Sequence, residues 1–337
     1  MQKFSRRDFL RLAAVGTSGI ALQQFLAACT AQSTPEMVST QSAHTTTAIP
    51  SPAETTSSAS STTKNSPTGF PDLVAARNAD PETMVRRALA ALGGMENFVP
   101  QGANVIIKPN ICVASHSYEY AATTNPWVVG ALVKMAFEAG AGSVKVMDYP
   151  FGGTAADAYV TSGIQEQVAA AGGEMVQMSS FKYIASQIPN GRWLKKTEVY
   201  DDILNTDVLI NVPIAKHHGS ARLTLGMKNM LGVVHNRSAL HGSLAQAIAD
   251  LNTLVRPTLT VIDAVRILTA HGPTGGNLDD VKQLDTIIAS PDIVAADSYA
   301  TSFFGMQPND IEYIQYAAEM GLGRSNLSSL KIEEISG

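Results

Sequence analysis

The stretch Val208-Leu209-Ile210-Asn211-Val212-Pro213-Ile214-Ala215-Lys216-His217-His218 decides the fold. A short β-branched run of this kind, closed by a proline and then by cations, has the length and composition of a buried strand. The same grammar recurs along the chain. Val105-Ile106-Ile107 runs into Lys108-Pro109-Asn110, Val144-Lys145-Val146-Met147 into Asp148, and Leu259-Thr260-Val261-Ile262 into Asp263. Between these runs lie helical patterns. Strands are expected at 103–107, 143–147, 208–212, 259–262 and 286–289, and helices at 81–92, 126–139, 155–171, 243–255, 293–304 and 310–320. Asp80-Pro81-Glu82 reads as a helix start, with a capping carboxylate and then proline at the first helical position. Strands alternating with helices predict an α/β fold, a mostly parallel sheet flanked by helices, built as one core or as two intimately packed lobes.

In open α/β sheets ligands bind outside the carboxyl ends of the strands. Four strands ending in Lys108 and Asn110, Asp148, Lys216 and His218, and Asp263 therefore predict one polar site, although strand-end Asp and Asn also serve simply to cap loops. Lys228 stands out within Leu223-Thr224-Leu225-Gly226-Met227-Lys228-Asn229-Met230-Leu231-Gly232, which is otherwise almost wholly apolar. An ammonium there needs a carboxylate, an anionic ligand or solvent, because burying it alone is costly. His217 and His218 are neighbours on an extended segment and point to opposite faces, so one at most joins the site. His218 is the preferred candidate, with His241 and His235 weaker. Met227 and Met230 read as core filler. Gly272-Pro273-Thr274-Gly275-Gly276 is a flexible loop without the lysine of a nucleotide P-loop, and no GxGxxG follows a strand.

The chain has 337 residues, with 29 acidic and 24 basic side chains. Setting aside Lys3, Arg6, Arg7, Asp8 and Arg11 leaves 28 acidic against 20 basic, and no Lys/Arg-rich run supplies the basic surface a nucleic-acid partner requires. The charge near the start has another reading. Ser5-Arg6-Arg7-Asp8-Phe9-Leu10 resembles the twin-arginine translocation motif, and an uncharged stretch from Leu12 to Ala28 follows that is too short and too weakly apolar for a membrane span. It ends in Leu26-Ala27-Ala28-Cys29, which resembles a lipobox. Residues 1–29 are thus read as a twin-arginine lipoprotein signal peptide with lipid attached at Cys29. The expected location is the outer face of the cytoplasmic membrane or the outer membrane. Two or more acyl chains hold a protein stably. Residues 30–69 are half Ser or Thr and are expected to form a disordered tether reaching about 35 Å. Residues 70–337 form the globular α/β domain. Cys112 is alone within it, which allows no internal disulfide and no cysteine-ligated iron–sulfur cluster.

Pro213-Ile214-Ala215-Lys216-His217-His218 and Thr224-Leu225-Gly226-Met227-Lys228-Asn229-Met230-Leu231-Gly232 resemble the core of the domain-of-unknown-function 362 family. Ile107-Lys108-Pro109-Asn110, Ile248-Ala249-Asp250-Leu251, Ile262-Asp263-Ala264, Gly272-Pro273-Thr274-Gly275-Gly276 and Asp292-Ile293-Val294-Ala295-Ala296-Asp297 extend the resemblance in order along nearly all of the globular part. Many relatives carry cysteine-rich ferredoxin-like segments, whose cysteines this chain lacks. Ile214 and His217 stand where the family usually has Lys and Thr, which implies altered ligand specificity. The expected function is a small-anion site at the strand ends. Lys108, Lys216 and Lys228 neutralise the anion there, Asn110 and Asn229 orient it, and His241 is a further ligand-binding candidate. Lys228, His218 and Asp148 are the catalytic candidates, and Asp148, His218 and Asp263 the ligands of a divalent metal if one assists. The alternative is a non-catalytic ligand-binding or envelope-associated lipoprotein using the same pocket.

Overall fold

β2 (Asn104–Pro109) and β7 (Val208–Val212) lie parallel at the centre of the sheet, and every residue of β7 is buried. Such strands are apolar on both faces because both faces are covered. The computed structural model describes residues 69–337; the stretch expected to be a twin-arginine signal, Cys29 and the expected tether up to residue 68 lie outside the described residues. Outward from β2 come β3 (Ser143–Val146) and the short β4 (Glu174–Met175), both parallel. Outward from β7 come β10 (Leu259–Leu268), β11 (Val281–Ser290), β1 (Leu73–Arg77) and β12 (Ile332–Ser336). β11 runs antiparallel to both its neighbours, and the other pairs in this row are parallel. β8 (Ile214–His218) joins β10 beyond the end of β7 and carries the short antiparallel β9 (Arg222–Thr224), which makes ten strands. A separate hairpin pairs β5 (Tyr183–Gln187) with β6 (Lys196–Tyr200). The fold is α/β with a mixed, mostly parallel sheet.

Alternation along the strands sends successive side chains to two different cores. On one face Val105, Ile107, Ile210, Val261 and Val265 pack under α1 (Pro81–Ala91), α2 (Pro126–Glu138), α3 (Ala155–Thr161) and α4 (Ile164–Ala170). On the other, Ile106, Leu209 and Ile262 pack under α6 (Gly226–Asn229), α7 (Leu244–Leu254), α8 (Ile293–Ala300) and α9 (Glu312–Glu319). α5 (Asp201–Asn205) links β6 to β7. The two lobes entertained from the sequence are these two cores, one on each face of one sheet. Helix starts follow the expected chemistry. Asp80 caps α1 through Thr83 N at 3.0 Å, and Asn125 caps α2 through Trp127 N at 3.0 Å. The helix expected over 155–171 breaks at Gly163, whose φ of 74° is left-handed, so α3 ends and α4 begins there.

Two strands run well past their expected ends. β10 continues through Asp263 to Leu268 and β11 starts at Val281, so the pair forms a hairpin whose 269–280 tip carries the glycine-rich loop. Asp263 is therefore mid-strand, aligned between Val261 and Val265 on the face that packs under α2. Its carboxylate is fully buried and accepts Asn125 N at 2.7 Å and Val265 N at 3.0 Å, fixing the entry to α2. Burial pushes its carboxyl up to about 6, against the two N–H donors. Asp250 plays a comparable part on α7. It is buried and accepts the backbone N–H groups of Arg192, Trp193 and Leu194, each at 2.7 Å, pinning the loop between β5 and β6.

Replacing Asp263 by Ala leaves two buried N–H groups without an acceptor and should cost roughly 2–4 kcal/mol in urea denaturation. Anion binding in the pocket described below should be unchanged. Unaltered stability together with lost binding would instead return Asp263 to the site.

Candidate functional site

At the carboxyl end of β2 the side chain of Lys108 turns to the α6 face and is 1% exposed. Its ammonium donates to Asp148 Oδ1 at 2.6 Å, to Pro109 O at 3.0 Å and to Asn229 Oδ1 at 3.2 Å. Asp148, at the end of β3, uses its other oxygen to accept Ile111 N at 2.6 Å. Burial lowers the Lys108 ammonium from its ordinary range, and the Asp148 carboxylate opposes that. Lys216 on β8 is equally buried and has no carboxylate. Three neutral oxygens surround it instead: Ala122 O at 2.6 Å, Asn110 Oδ1 at 3.0 Å and Pro273 O at 3.0 Å. Amides tie the two lysines together. Asn110 Nδ2 donates to Asn229 Oδ1 at 2.9 Å, and Asn229 Nδ2 donates to Asn211 Oδ1 at 2.9 Å.

Asn229 and Lys228 ride on α6, a single turn held from below by Asp297. That buried carboxyl group accepts Gly226 N at 2.6 Å and Met227 N at 2.9 Å, capping the start of the turn. A Cβ on Gly226 would stand 2.7 Å from Asp297 Oδ1, so the position requires glycine. Burial pushes the Asp297 carboxyl up to about 8, opposed by the same two N–H donors. Lys228 is partly buried in the pocket wall, and among the described residues its Nζ has no hydrogen-bond or ion-pair partner. Burial, then Lys216, Arg237 and Lys108, bring its ammonium down to about 7, with Cys112 acting the other way.

The cavity holds about 310 Å³, at the small end of ligand pockets. Lys108, Asn110, Asp148, Lys216, His218, Lys228, Asn229 and His241, expected from the sequence, all line it, and Asp263 does not. His218 Nδ1 accepts the N–H groups of Ser220 and Ala221, each at 3.1 Å, so the imidazole proton sits on Nε2. Burial first, then Lys228 and Lys216, drive His218 down to about 3, so it is a neutral N–H donor at physiological pH. His217 turns away and receives Gly272 N on Nδ1 at 3.1 Å.

The metal set expected from the sequence is not assembled. Asp263 lies on the far face of the sheet, both oxygens of Asp148 are engaged, and the unprotonated nitrogen of His218 is occupied by backbone donors. Among the described residues no group of three or more His, Cys, Asp or Glu could hold a metal ion.

Sequence reasoning missed Arg237, Thr224 and Gly232. Arg237 lies 4.9 Å from the centre of the Tyr149 ring and donates to Tyr149 O at 3.0 Å, a contact across the fold that leaves no local signal. Thr224 Oγ1 is buried against the cavity and has no partner among the described residues. A Cβ on Gly232 would stand 2.6 Å from Asp148 Oδ1 and 2.7 Å from Lys108 Nζ, so that glycine is required by the ion pair.

A curated relative, the thylakoid-associated protein sll1697 of Synechocystis, is 26% identical over 247 residues, covering 71% of this chain and 74% of that protein. Among solved structures, the lactate racemase apoprotein from Thermoanaerobacterium thermosaccharolyticum is similar with a TM-score of 0.43 and 12% identity, over 68% of this chain. A protein from Thermotoga maritima is similar with a TM-score of 0.41 and 10% identity, over 67% of this chain. The chain spans 56% and 60% of the lengths of those two proteins, and likeness at this level says nothing about activity. The family model described as "Domain of unknown function (DUF362)" matches residues 105–302, from the start of β2 to just beyond α8 and across the whole cluster of pocket lysines. The chain belongs to the DUF362 family.

Proposed function

We propose that the chain is an exported, lipid-anchored protein whose strand-end pocket binds a small anionic ligand. The observation that carries this reading is the ammonium of Lys228, unpaired among the described residues, in a pocket with surplus positive charge. Lys108, Lys216, Lys228 and Arg237 line the cavity, and its one carboxylate, Asp148, is already paired with Lys108. An anion that enters gains Coulomb energy in a low-dielectric setting and relieves repulsion among the cations. The amides of Asn110 and Asn229 are committed to the lysine framework. They support the anion site by holding the lysines in place, not by reaching the ligand. The donor geometry gives no support to metal assistance.

Attachment to a membrane is supported by the motif at Arg6 and Arg7, by the lipobox ending at Cys29, and by the name of the thylakoid-associated relative. No helix of the described residues is long and apolar enough to cross a membrane.

Inorganic phosphate, oxalate and glycolate should be screened by thermal shift. A ligand at a hundredfold excess over its Kd stabilises by about 2.7 kcal/mol, which raises Tm by roughly 5–10 °C for a domain of this size. Lys228→Met should remain folded and lose the shift, since an apolar chain of similar length replaces the ammonium. No shift with any of these anions in the unaltered protein would remove the reading.

The pH dependence has a definite sign. Lys228 titrates at about 7 when the pocket is empty, and a bound anion raises that value. Affinity should be full below pH 7 and fall by up to tenfold per unit above it, until pH passes the higher value of the complex. Lys228→Met should flatten the curve. Affinity that stays constant from pH 6 to pH 9 would show that Lys228 does not meet the ligand.

Export is tested separately. Changing Arg6 and Arg7 to Lys should leave the folded protein in the cytoplasm, and Cys29→Ala should abolish labelling by a fatty-acid probe. Unchanged export or persistent labelling would refute the respective assignment.

A further inference from the structure

The three pocket lysines differ in how their protons are used. An ammonium has three to give. Lys108 gives them to Asp148, Asn229 and Pro109, and Lys216 to Asn110, Ala122 and Pro273. Both are turned into the protein and have no N–H left for a ligand. Lys228 lines the cavity beside them and has no partner among the described residues. The pocket spends two of its three lysine ammonium groups on its own framework and leaves one lysine open, flanked by other cations. Cationic neighbours and burial are the two conditions that leave a lysine unprotonated and nucleophilic.

We propose that Lys228 is a nucleophile that captures a small 2-oxo carboxylate as a Schiff base. The proposal rests on the anion-binding reading and adds the class of ligand and the bond formed. The balance is closed. Nζ adds to the carbonyl carbon as one N–H proton passes to the carbonyl oxygen, giving a carbinolamine. The second N–H proton then leaves with the hydroxyl as water, and a C=N bond remains. No oxidant, reductant or metal enters. The walls suit both ends of such a ligand. Arg237 uses one N–H on Tyr149 O and has others for a carboxylate, which guanidinium groups bind in bidentate fashion. Thr224 Oγ1, buried and without a partner among the described residues, is a hydroxyl available to the carbinolamine oxygen, and His218 offers Nε2–H. The cavity of about 310 Å³ limits the ligand to metabolite size.

The test is reductive trapping of the full chain with glyoxylate and sodium cyanoborohydride, read by peptide mass mapping. The expected result is one adduct per chain, at Lys228, forming at least tenfold faster than at any other lysine. The rate should rise as pH passes through about 7, where the free amine becomes the major form. Lys228→Arg should abolish the adduct. Trapping spread evenly over surface lysines, or an undiminished adduct in Lys228→Arg, overturns the proposal. Glycolate, which has the carboxylate without the carbonyl, separates the two readings. If glycolate and glyoxylate both raise Tm but no Lys228 adduct forms, the pocket binds anions and the nucleophile is refuted. If neither these two nor phosphate and oxalate raise Tm and no adduct forms, the anion reading falls with it.

Discussion

The buried ion pair between Lys108 and Asp148 is the contact on which the pocket is built. It joins the carboxyl ends of β2 and β3 at 2.6 Å, with both side chains almost fully removed from water. Such a pair repays its desolvation only when the remaining donors and acceptors are also satisfied. Here Ile111 N takes the second oxygen of Asp148, and Asn229 and Pro109 take the other two ammonium protons. Removing one partner would strand the other, at a cost of about 3–5 kcal/mol. The pair also dictates what passes over it. Gly232 lies so close that no side chain fits, and Asn229 is held to Lys108 on one side and Asn211 on the other. With Asn229 fixed, Asp297 beneath α6 fixes the start of the same turn. Lys228 lies between these two anchors, so its place in the cavity wall follows from contacts it does not itself make.

Charge is balanced unevenly across this framework. Lys108 has a carboxylate, whereas Lys216 is satisfied by carbonyl and amide oxygens that lend dipoles and no net charge. Arg237 rests on the Tyr149 ring and a carbonyl. The cavity therefore keeps a positive surplus, although the whole chain carries a net charge of −5. Net charge describes solubility and steering at long range; the pocket is governed by the few groups within reach of one another. His218 shows the consequence, held neutral by burial and by neighbouring lysines despite its position in a polar site.

How much of this was legible in the sequence depends on which physical signal each residue leaves. The strand-end rule brought Lys108, Asn110, Asp148, Lys216 and His218 to one place because each follows a run that must be buried on both faces. It failed for Asp263, where the strand does not end. Val265, Ile267 and Leu268 continue the apolar pattern, and a carboxylate in mid-strand was read as a terminus. Lys228 was legible from cost alone, as an ammonium in an apolar run. Arg237 and Thr224 were not, since one reaches the site from a 3-10 segment far along the chain and the other is an ordinary strand threonine. β8 was missed as a strand because Lys216, His217 and His218 interrupt its hydrophobic pattern; its two histidines still split between faces as an extended segment requires.

The division of labour among the polar groups bears on the chemistry the pocket can support. Metal sites of hard cations gather several carboxylates around one point, and imidazole ligands present an unprotonated nitrogen toward it. This cavity has one carboxylate, bound on both oxygens, and of its two imidazoles that of His218 turns its unprotonated nitrogen to the backbone. What it offers instead is an amine with an open approach, two lysines locked as part of the wall, and neutral or cationic donors around the opening. Rigid surroundings matter for such an amine, because a lysine free to swing into water would recover its ordinary basicity. The short α6 turn, capped by Asp297 and tied through Asn229 to the ion pair, holds the backbone of Lys228 in place and keeps its side chain among cations. The perturbation of Lys228 is in this sense a property of the strand ends beneath it.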